Sequence, residues 1–425
     1  MILYASPDTP TMNSYGAVIL VVLLAEYALS VVSSTLNLRS LHPAVPREFD
    51  GVFDATTYAR SQEYTRTRTQ FGLIHGGINL MLVLAFWQLG GFEWWDQRWR
   101  SAGYGPIGTG LLYIGSIGLL STIAGLPFRL YSTFVIEERY GFNRTTWHTF
   151  VADLLKGLVL AILLGGSLLT AILWLFEWAE ALAWLWCWLA ASSFLLIVQL
   201  VAPTVILPFF NEFTRLESGE LHEALLRYAR NTKFPLTGIF VVDGSRRSSK
   251  ANAFFTGIGR HKRIGLFDTL VRNYTVAELV AVVAHEIGHY KKWHIWKGLA
   301  VGIAQMGVIF FVMSLCLNEE GLFEAFHISE MSIYAGLLFF SLLFTPVELA
   351  LSVLVNAASR RNEFEADAFA ARTTGSAKPL ISALKKLSGN SLTNLTPHPF
   401  HAFLYYSHPP VLQRIAALRA FAAES

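Results

Sequence analysis

The 425-residue chain is short of charge. Only 15% of its residues are Asp, Glu, Lys or Arg, whereas 53% are hydrophobic; soluble domains carry about 25% charged residues. That deficit makes lipid rather than water the expected solvent for most of the chain. The net charge is +3 and scattered, which excludes the basic face that a nucleic-acid partner requires. The two cysteines, Cys187 and Cys316, both lie in apolar stretches, so neither a cysteine zinc cluster nor a disulfide framework is indicated. No P-loop GxxxxGK[ST], internal repeat or low-complexity tract occurs. The lead "MILYASPDTP" has no Lys, Arg or cleavage-site pattern, so the first apolar run is read as a retained helix, not a removed signal peptide.

Long apolar runs are what the chain has instead. Seven stretches, roughly 15–35, 71–92, 106–127, 150–176, 181–209, 298–317 and 332–357, meet the length of about 20 residues needed to cross a bilayer. The twelve Trp gather at their ends and within them, as interfacial anchors do. An odd number of crossings puts the termini on opposite faces. One face receives Arg39, Arg47, Arg60, Arg66, Arg68, Arg129, Arg139 and Arg144 in its first two loops. The other holds only Arg98 and Arg100 in its loops, plus the acidic Glu319, Glu320 and Glu324. The positive-inside rule then places the large loop and the C-terminal tail in the cytoplasm.

The expected fold is an all-α polytopic membrane protein carrying a small α+β unit at the cytoplasmic face. Helices 1–5 occupy residues 1–209, the mixed α+β segment 210–297, helices 6–7 residues 298–357, and a mostly helical, proline-broken tail 358–425. Within the segment, "GIFVVDGS", "ANAFFTG" and "RIGLFDTLV" predict strands. Thr275 and Glu278 form a capping box that starts a helix.

That helix carries "HEIGH". His285 and His289, at i and i+4, share a face and can bind one zinc ion. Glu286 lies about 100° around from His285, the position for taking a proton from water activated there. Catalytic zinc takes three protein ligands and leaves one position open, so a third is needed. The metzincin pattern fails, with Lys292 and Ile295 where Gly and His belong. The thermolysin pattern fails as well, its Glu replaced by the apolar "GVIFFVMSL". His294 is almost half a turn off the metal face and reads as a supporting or structural residue. "SRRNEFEADAFA" (359–370) supplies Glu363, with Asp367 one turn later to accept from a ligand histidine. Glu365 is the rival ligand, about 200° from Glu363 around the helix. Two crossings separate this stretch from HEIGH, so both lie on one face.

These residues resemble the type I CAAX prenyl endopeptidases, integral-membrane zinc metalloproteases. The likeness spans most of the chain. "LPFRLYSTFVIEERYGFNRTT" (126–146), "KANAFFTGIGRHKRIGLFDTLV" (250–271), HEIGH, "SRRNEFEADAFA" and "YSHPPVLQR" (406–414) follow in the family's order. The resemblance implies seven helices around a large water-filled chamber, with one Zn2+ per chain held by His285, His289 and Glu363, and Glu286 as general base. It implies that the strand around Asn252, Ala253 and Phe254 pairs with substrate backbone. It also implies that His408 and Arg414 contact substrate or the developing oxyanion. A chamber would rationalise Glu26, His75, Asp153, Lys156 and Glu348 inside the apolar runs, although Asp153 and Lys156 are read first as helix-end residues near the interface.

The expected activity is zinc-dependent peptide hydrolysis, in the narrow reading removal of the aaX tripeptide from prenylated CAAX peptides. A broader alternative is quality-control proteolysis of membrane proteins. A seven-helix transporter with an incidental HExxH is the alternative from another class. The partners implied are peptide or protein substrates and the lipid bilayer, and a monomer is expected. The chain closes on "AFAAES" without an ER-retrieval dilysine, which favours a bacterial inner membrane.

Overall fold

The structure, a computed structural model, describes residues 12–257 and 262–424. The lead "MILYASPDTP", the tip of the 250–271 hairpin and Ser425 lie outside the described residues. Among the described residues, seven helices are long and apolar enough to cross a bilayer. They are α1 (Ser14–Arg39), α2 (Ala55–Gln88), α4 (Gly105–Glu137), α5 (Trp147–Trp178), α6 (Glu180–Phe210), α10 (His294–Cys316) and α11 (Ile333–Thr374). The short α3 (Gly91–Arg100) follows α2. Helices α7 (Glu220–Asn231), α8 (Asp268–Asn273) and α9 (Val276–Lys291) lie between α6 and α10. The tail adds α12 (Lys378–Asn390), α13 (Pro399–Tyr405) and α14 (Val411–Glu424).

Side-chain caps set where several spans begin. Asn13, Asp54, Thr146 and Ser332 each accept from a backbone N–H in the first turn of α1, α2, α5 and α11, satisfying donors that lipid cannot. Both ends of α2 differ from the hydropathy reading. Helix α2 begins at Ala55 rather than near 71, because its first turns, "ATTYARSQEYTRTRTQ", are helical yet too polar for hydrocarbon. It also ends before 92, where Gly90 adopts φ 70° and turns the chain into α3. Helix α11 runs 42 residues, about 63 Å, twice the hydrocarbon thickness of about 30 Å. Its last third therefore continues beyond the membrane and carries Glu363 and Asp367.

A four-stranded sheet, ordered β1-β2-β4-β3, accompanies α9. Its strands are β1 (Phe213–Arg215), β2 (Leu236–Val242), β3 (Ala253–Thr256) and β4 (Lys262–Phe267). Three strands stand where the residue pattern predicted them. The three-residue β1 was not anticipated, being too short to show alternation. The segment after Phe267 leaves the sheet because Asp268 accepts from the N–H groups of Ser245 and Thr269, both at 2.9 Å. Strands β2 and β4 run parallel, while β3 pairs antiparallel with β4. Strand β3 has no partner on its other side among the described residues.

Two cores mark the two ends of the molecule. At the HExxH end, Leu225, Ile239, Leu266, Val283, Ile287, Ala370 and Leu380 pack the sheet, α7, α9, α12 and the end of α11 into one cluster. At the far end the packing is aromatic. Phe326 stacks on Phe339 at 3.9 Å and on Trp87 at 4.8 Å, and the Trp87 indole donates to the Ala325 carbonyl. There the buried Asp96 accepts from Arg100 Nε at 2.6 Å and Tyr334 Oη at 2.5 Å. Arg100 also pairs with Glu330 at 3.0 Å, so one of the two arginines running against the charge bias is neutralised locally.

Candidate metal centre

The metal helix is built to be rigid. Thr275 and Glu278 close the capping box reciprocally, and the buried Glu278 also accepts from Ser382 and Lys386 at 2.6 and 2.8 Å. Burial alone would raise the Glu278 carboxyl, but those donors outweigh it and hold the group below its ordinary value. The run "ELVAVVA" is almost wholly buried. Helices α9 and α11 meet at Gly288, where a Cβ would come within 3.1 Å of the Ala366 Cα and carbonyl oxygen. That close approach, tight for any side chain at 288, carries Glu363 to the histidine pair.

The three groups converge. His285 Nε2 lies 3.2 Å from His289 Nε2. Glu363 Oε2 is 3.4 Å from His285 Nε2, and Glu363 Oε1 is 3.3 Å from His289 Nε2. Ligands about 2.0–2.1 Å from a tetrahedral zinc lie about 3.3–3.4 Å from one another, so the triangle has the size of one face of such a site. The buried Glu363 Oε2 accepts no hydrogen bond among the described residues, although Arg414 lies 3.2 Å away as an ion pair, so it keeps acceptor capacity that a cation would use. The donor set therefore fits the metal that the motif implies.

The surrounding groups orient this face. Asp367 Oδ1 lies 2.8 Å from His285 Nδ1. Arg414, itself buried, donates to both Asp367 oxygens at 2.8 and 2.6 Å and stands 3.2 Å from Glu363 Oε2. Burial alone disfavours the His285 imidazolium, but Asp367 and Glu363 push its pKa up to about 9. The Glu286 carboxylate enters no hydrogen bond or ion pair among the described residues. Its pKa is raised chiefly by burial, against the pull of the two histidines. His408 Nε2 lies 3.3 Å from Glu363 Oε1, and its side chain is 64% exposed.

The remaining expected residues sit on β3. The Asn252 carbonyl accepts from Phe267 N–H at 2.9 Å, Ala253 pairs with Leu266 and Phe254 with Gly265. Anchors that residue spacing did not show hold this strand in place. Lys250 Nζ reaches Glu137 at 3.0 Å and Tyr64 Oη at 2.9 Å, above the Phe142 ring. This ties the 126–146 signature to the strand. Arg247 forks onto Asp153 at 2.7 and 2.9 Å, and Lys156 donates to the Phe209 carbonyl at 2.7 Å, so both in-span charges serve a helix end. Glu365 is turned away from the metal triangle and faces His294 at 3.3 Å. A charged residue paired across the fold has no periodicity of its own, and only the i, i+4 spacing of Glu363 and Asp367 carried a signal.

A bundle of membrane-length helices whose cytosol-type unit closes a His–His–Glu triangle defines a membrane-embedded metalloendopeptidase. Residues 35–212 match the family model of the CAAX prenyl protease N-terminal region, five membrane helices, and residues 215–422 match peptidase family M48. The chain belongs to the type I CAAX prenyl protease family. It is 34% identical to "CAAX prenyl protease 1 homolog" of Oryza sativa over 88% of this chain and 90% of that protein. It is 32% identical to CAAX prenyl protease 1 of Saccharomyces cerevisiae over 88% of each. The crystal structure of S. mikatae Ste24p superposes with a TM-score of 0.91 at 29% identity, covering 96% of this chain and all of that one. The fold is accordingly that of a membrane chamber protease in a multi-pass integral membrane protein.

Proposed function

We propose that the chain removes the C-terminal tripeptide from prenylated CAAX peptides, using one zinc ion held by His285 Nε2, His289 Nε2 and Glu363. The observation that carries this reading is the triangle of 3.2–3.4 Å edges with the uncommitted Glu286 beside it. Zinc bound there supplies Lewis acidity to a water and to the scissile carbonyl. Glu286 accepts the proton of the attacking water and delivers it to the leaving amine, a task suited to a carboxyl raised by burial. Exposed His408 donates to the oxyanion as it forms. Arg414, committed to Asp367 and Glu363, acts in this proposal by balancing two buried carboxylates rather than by gripping substrate. The unpaired edge of β3, from Asn252 through Ala253 and Phe254, offers backbone groups to an extended peptide.

The names of the relatives support the narrow reading, since they are CAAX prenyl proteases of rice, yeast and other eukaryotes. Those eukaryotic relatives lend no support to a bacterial inner membrane. The arginine asymmetry supports a site at the cytoplasmic face of whichever membrane holds the chain. One core joins parts of 210–297 to parts of 358–425, which supports treating the two segments as a single protease unit.

The test offers purified protein a prenylated CAAX peptide, its unprenylated twin and an unfolded membrane protein. Cleavage of the first alone is expected, and equal cleavage of all three would favour quality-control proteolysis instead. Glu286→Gln protein that keeps its zinc and still cleaves would sink the mechanism.

A further inference from the structure

The stretch "NEFEAD" carries three carboxylates at 363, 365 and 367. One converges with the histidines and one supports His285. Glu365 has no part in that scheme, nor has His294, which stands nine residues after His285 and is buried to 5% exposure. The two meet each other, with His294 Nε2 lying 3.3 Å from Glu365 Oε2. On its other side, His294 Nδ1 lies 3.1 Å from His289 Nδ1.

The protonation pattern of this row follows from one requirement. If His289 offers its Nε2 lone pair to a metal, its proton sits on Nδ1. That N–H then donates to His294 Nδ1, which must be bare. The His294 proton is thereby forced onto Nε2, where it donates to Glu365 Oε2. Every donor meets an acceptor, and the row ends on a carboxylate.

We propose that His294 and Glu365 form a positioning relay that fixes the ring orientation and tautomer of His289, as Asp367 does directly for His285. The inference rests on the zinc reading above and assigns all three carboxylates of "NEFEAD": Glu363 to the metal, Asp367 to one histidine, Glu365 through His294 to the other. The longer route has a geometric cause. Glu365 points about 200° around the helix from Glu363 and cannot reach His289 itself, so an imidazole spans the gap. His294 is the first residue of α10, and the chain enters that span through Trp293 at φ 62°. A non-glycine residue in the left-handed region is costly, and here it produces the sharp break that turns His294 back against His289. The metal helix and two membrane spans are thus joined at one imidazole.

The test measures zinc affinity by chelator competition and the visible d–d spectrum of the Co2+-loaded protein, neither of which depends on turnover. Loss of a residue that orients a metal-bound histidine typically costs about 10–100-fold in metal affinity, and that loss is expected for His294→Ala, with a shifted cobalt spectrum. His294→Asn keeps an acceptor at the Nδ1 position and should recover most of the affinity. Glu365→Ala, on a partly exposed face where folding is not at stake, should give a smaller loss in the same direction. Wild-type affinity and an unchanged cobalt spectrum in both His294→Ala and Glu365→Ala would overturn the relay while leaving the zinc site standing. A wild-type chain that takes up no zinc would overturn both.

Discussion

The two ends of the molecule use the same device for different ends. Each buries an aspartate against an arginine: Asp367 with Arg414 at the metal end, Asp96 with Arg100 and Tyr334 at the far end. Removing one partner of such a pair strands a charge and is costly, so both hold their surroundings to one arrangement. At the far end the aspartate accepts from Arg100 and from the Tyr334 hydroxyl, and the buried group beside it without a hydrogen bond is a phenol, Tyr113 Oη, rather than a carboxylate. At the metal end it turns a histidine whose other nitrogen faces a carboxylate oxygen without a hydrogen bond. A buried ion pair is therefore no sign of an active site; two histidines and a carboxylate converging beside it are.

The sharpest way to break this comparison is metal removal. Chelation should abolish peptide cleavage and zinc should restore it, whereas no His, Cys, Asp and Glu cluster able to hold a metal lies at the far end among the described residues. Next in size, Asp367→Asn should lower zinc affinity by about 10–100-fold, measured by competition. Asp96→Asn should leave zinc affinity unchanged and cost about 1–3 kcal/mol of stability, read as a lower melting temperature. A zinc defect in Asp96→Asn would show that the two ends are coupled.

The pH dependence of metal binding gives a smaller, graded effect. His285 sits at about 9 without metal, above its ordinary value, so it is protonated at neutral pH and must lose that proton when zinc binds. Zinc affinity should therefore climb with pH, by about tenfold per unit for the one proton, and level off above about 9, as competition titrations would show. Glu278 provides the smallest effect. Its carboxyl is held below the ordinary value, so its contribution is complete above the unfolded pKa and lost as pH falls through the folded one. Glu278→Ala should cost about 1 kcal/mol, and its melting temperature should converge on that of the wild type in acid.

How much of this was legible beforehand differs between the two ends as well. At the metal end, i, i+4 spacing announced the histidine pair, and the same spacing announced Glu363 and Asp367. Of the far end, only the apolar runs were visible. The Asp96–Tyr334 contact joins residues 238 apart, and aromatic stacking leaves no periodic trace. The boundaries of α2 were misjudged for a related reason: hydropathy reports where lipid touches a helix, not where its hydrogen bonding stops.

By itself the sequence determined that seven helices are long and apolar enough to cross a membrane, because a deficit of charge leaves long apolar runs no other solvent. It determined too that HEIGH lies on a capped helix at the face shared with Glu363, since helical period and the parity of crossings are local or additive properties. Only the tertiary structure decided that Gly288 lets the two helices meet, that Arg414 serves the carboxylates, that β3 keeps an open edge and that Glu365 turns to His294. Each of those depends on how closely distant segments approach, a quantity set by packing between side chains far apart in the chain.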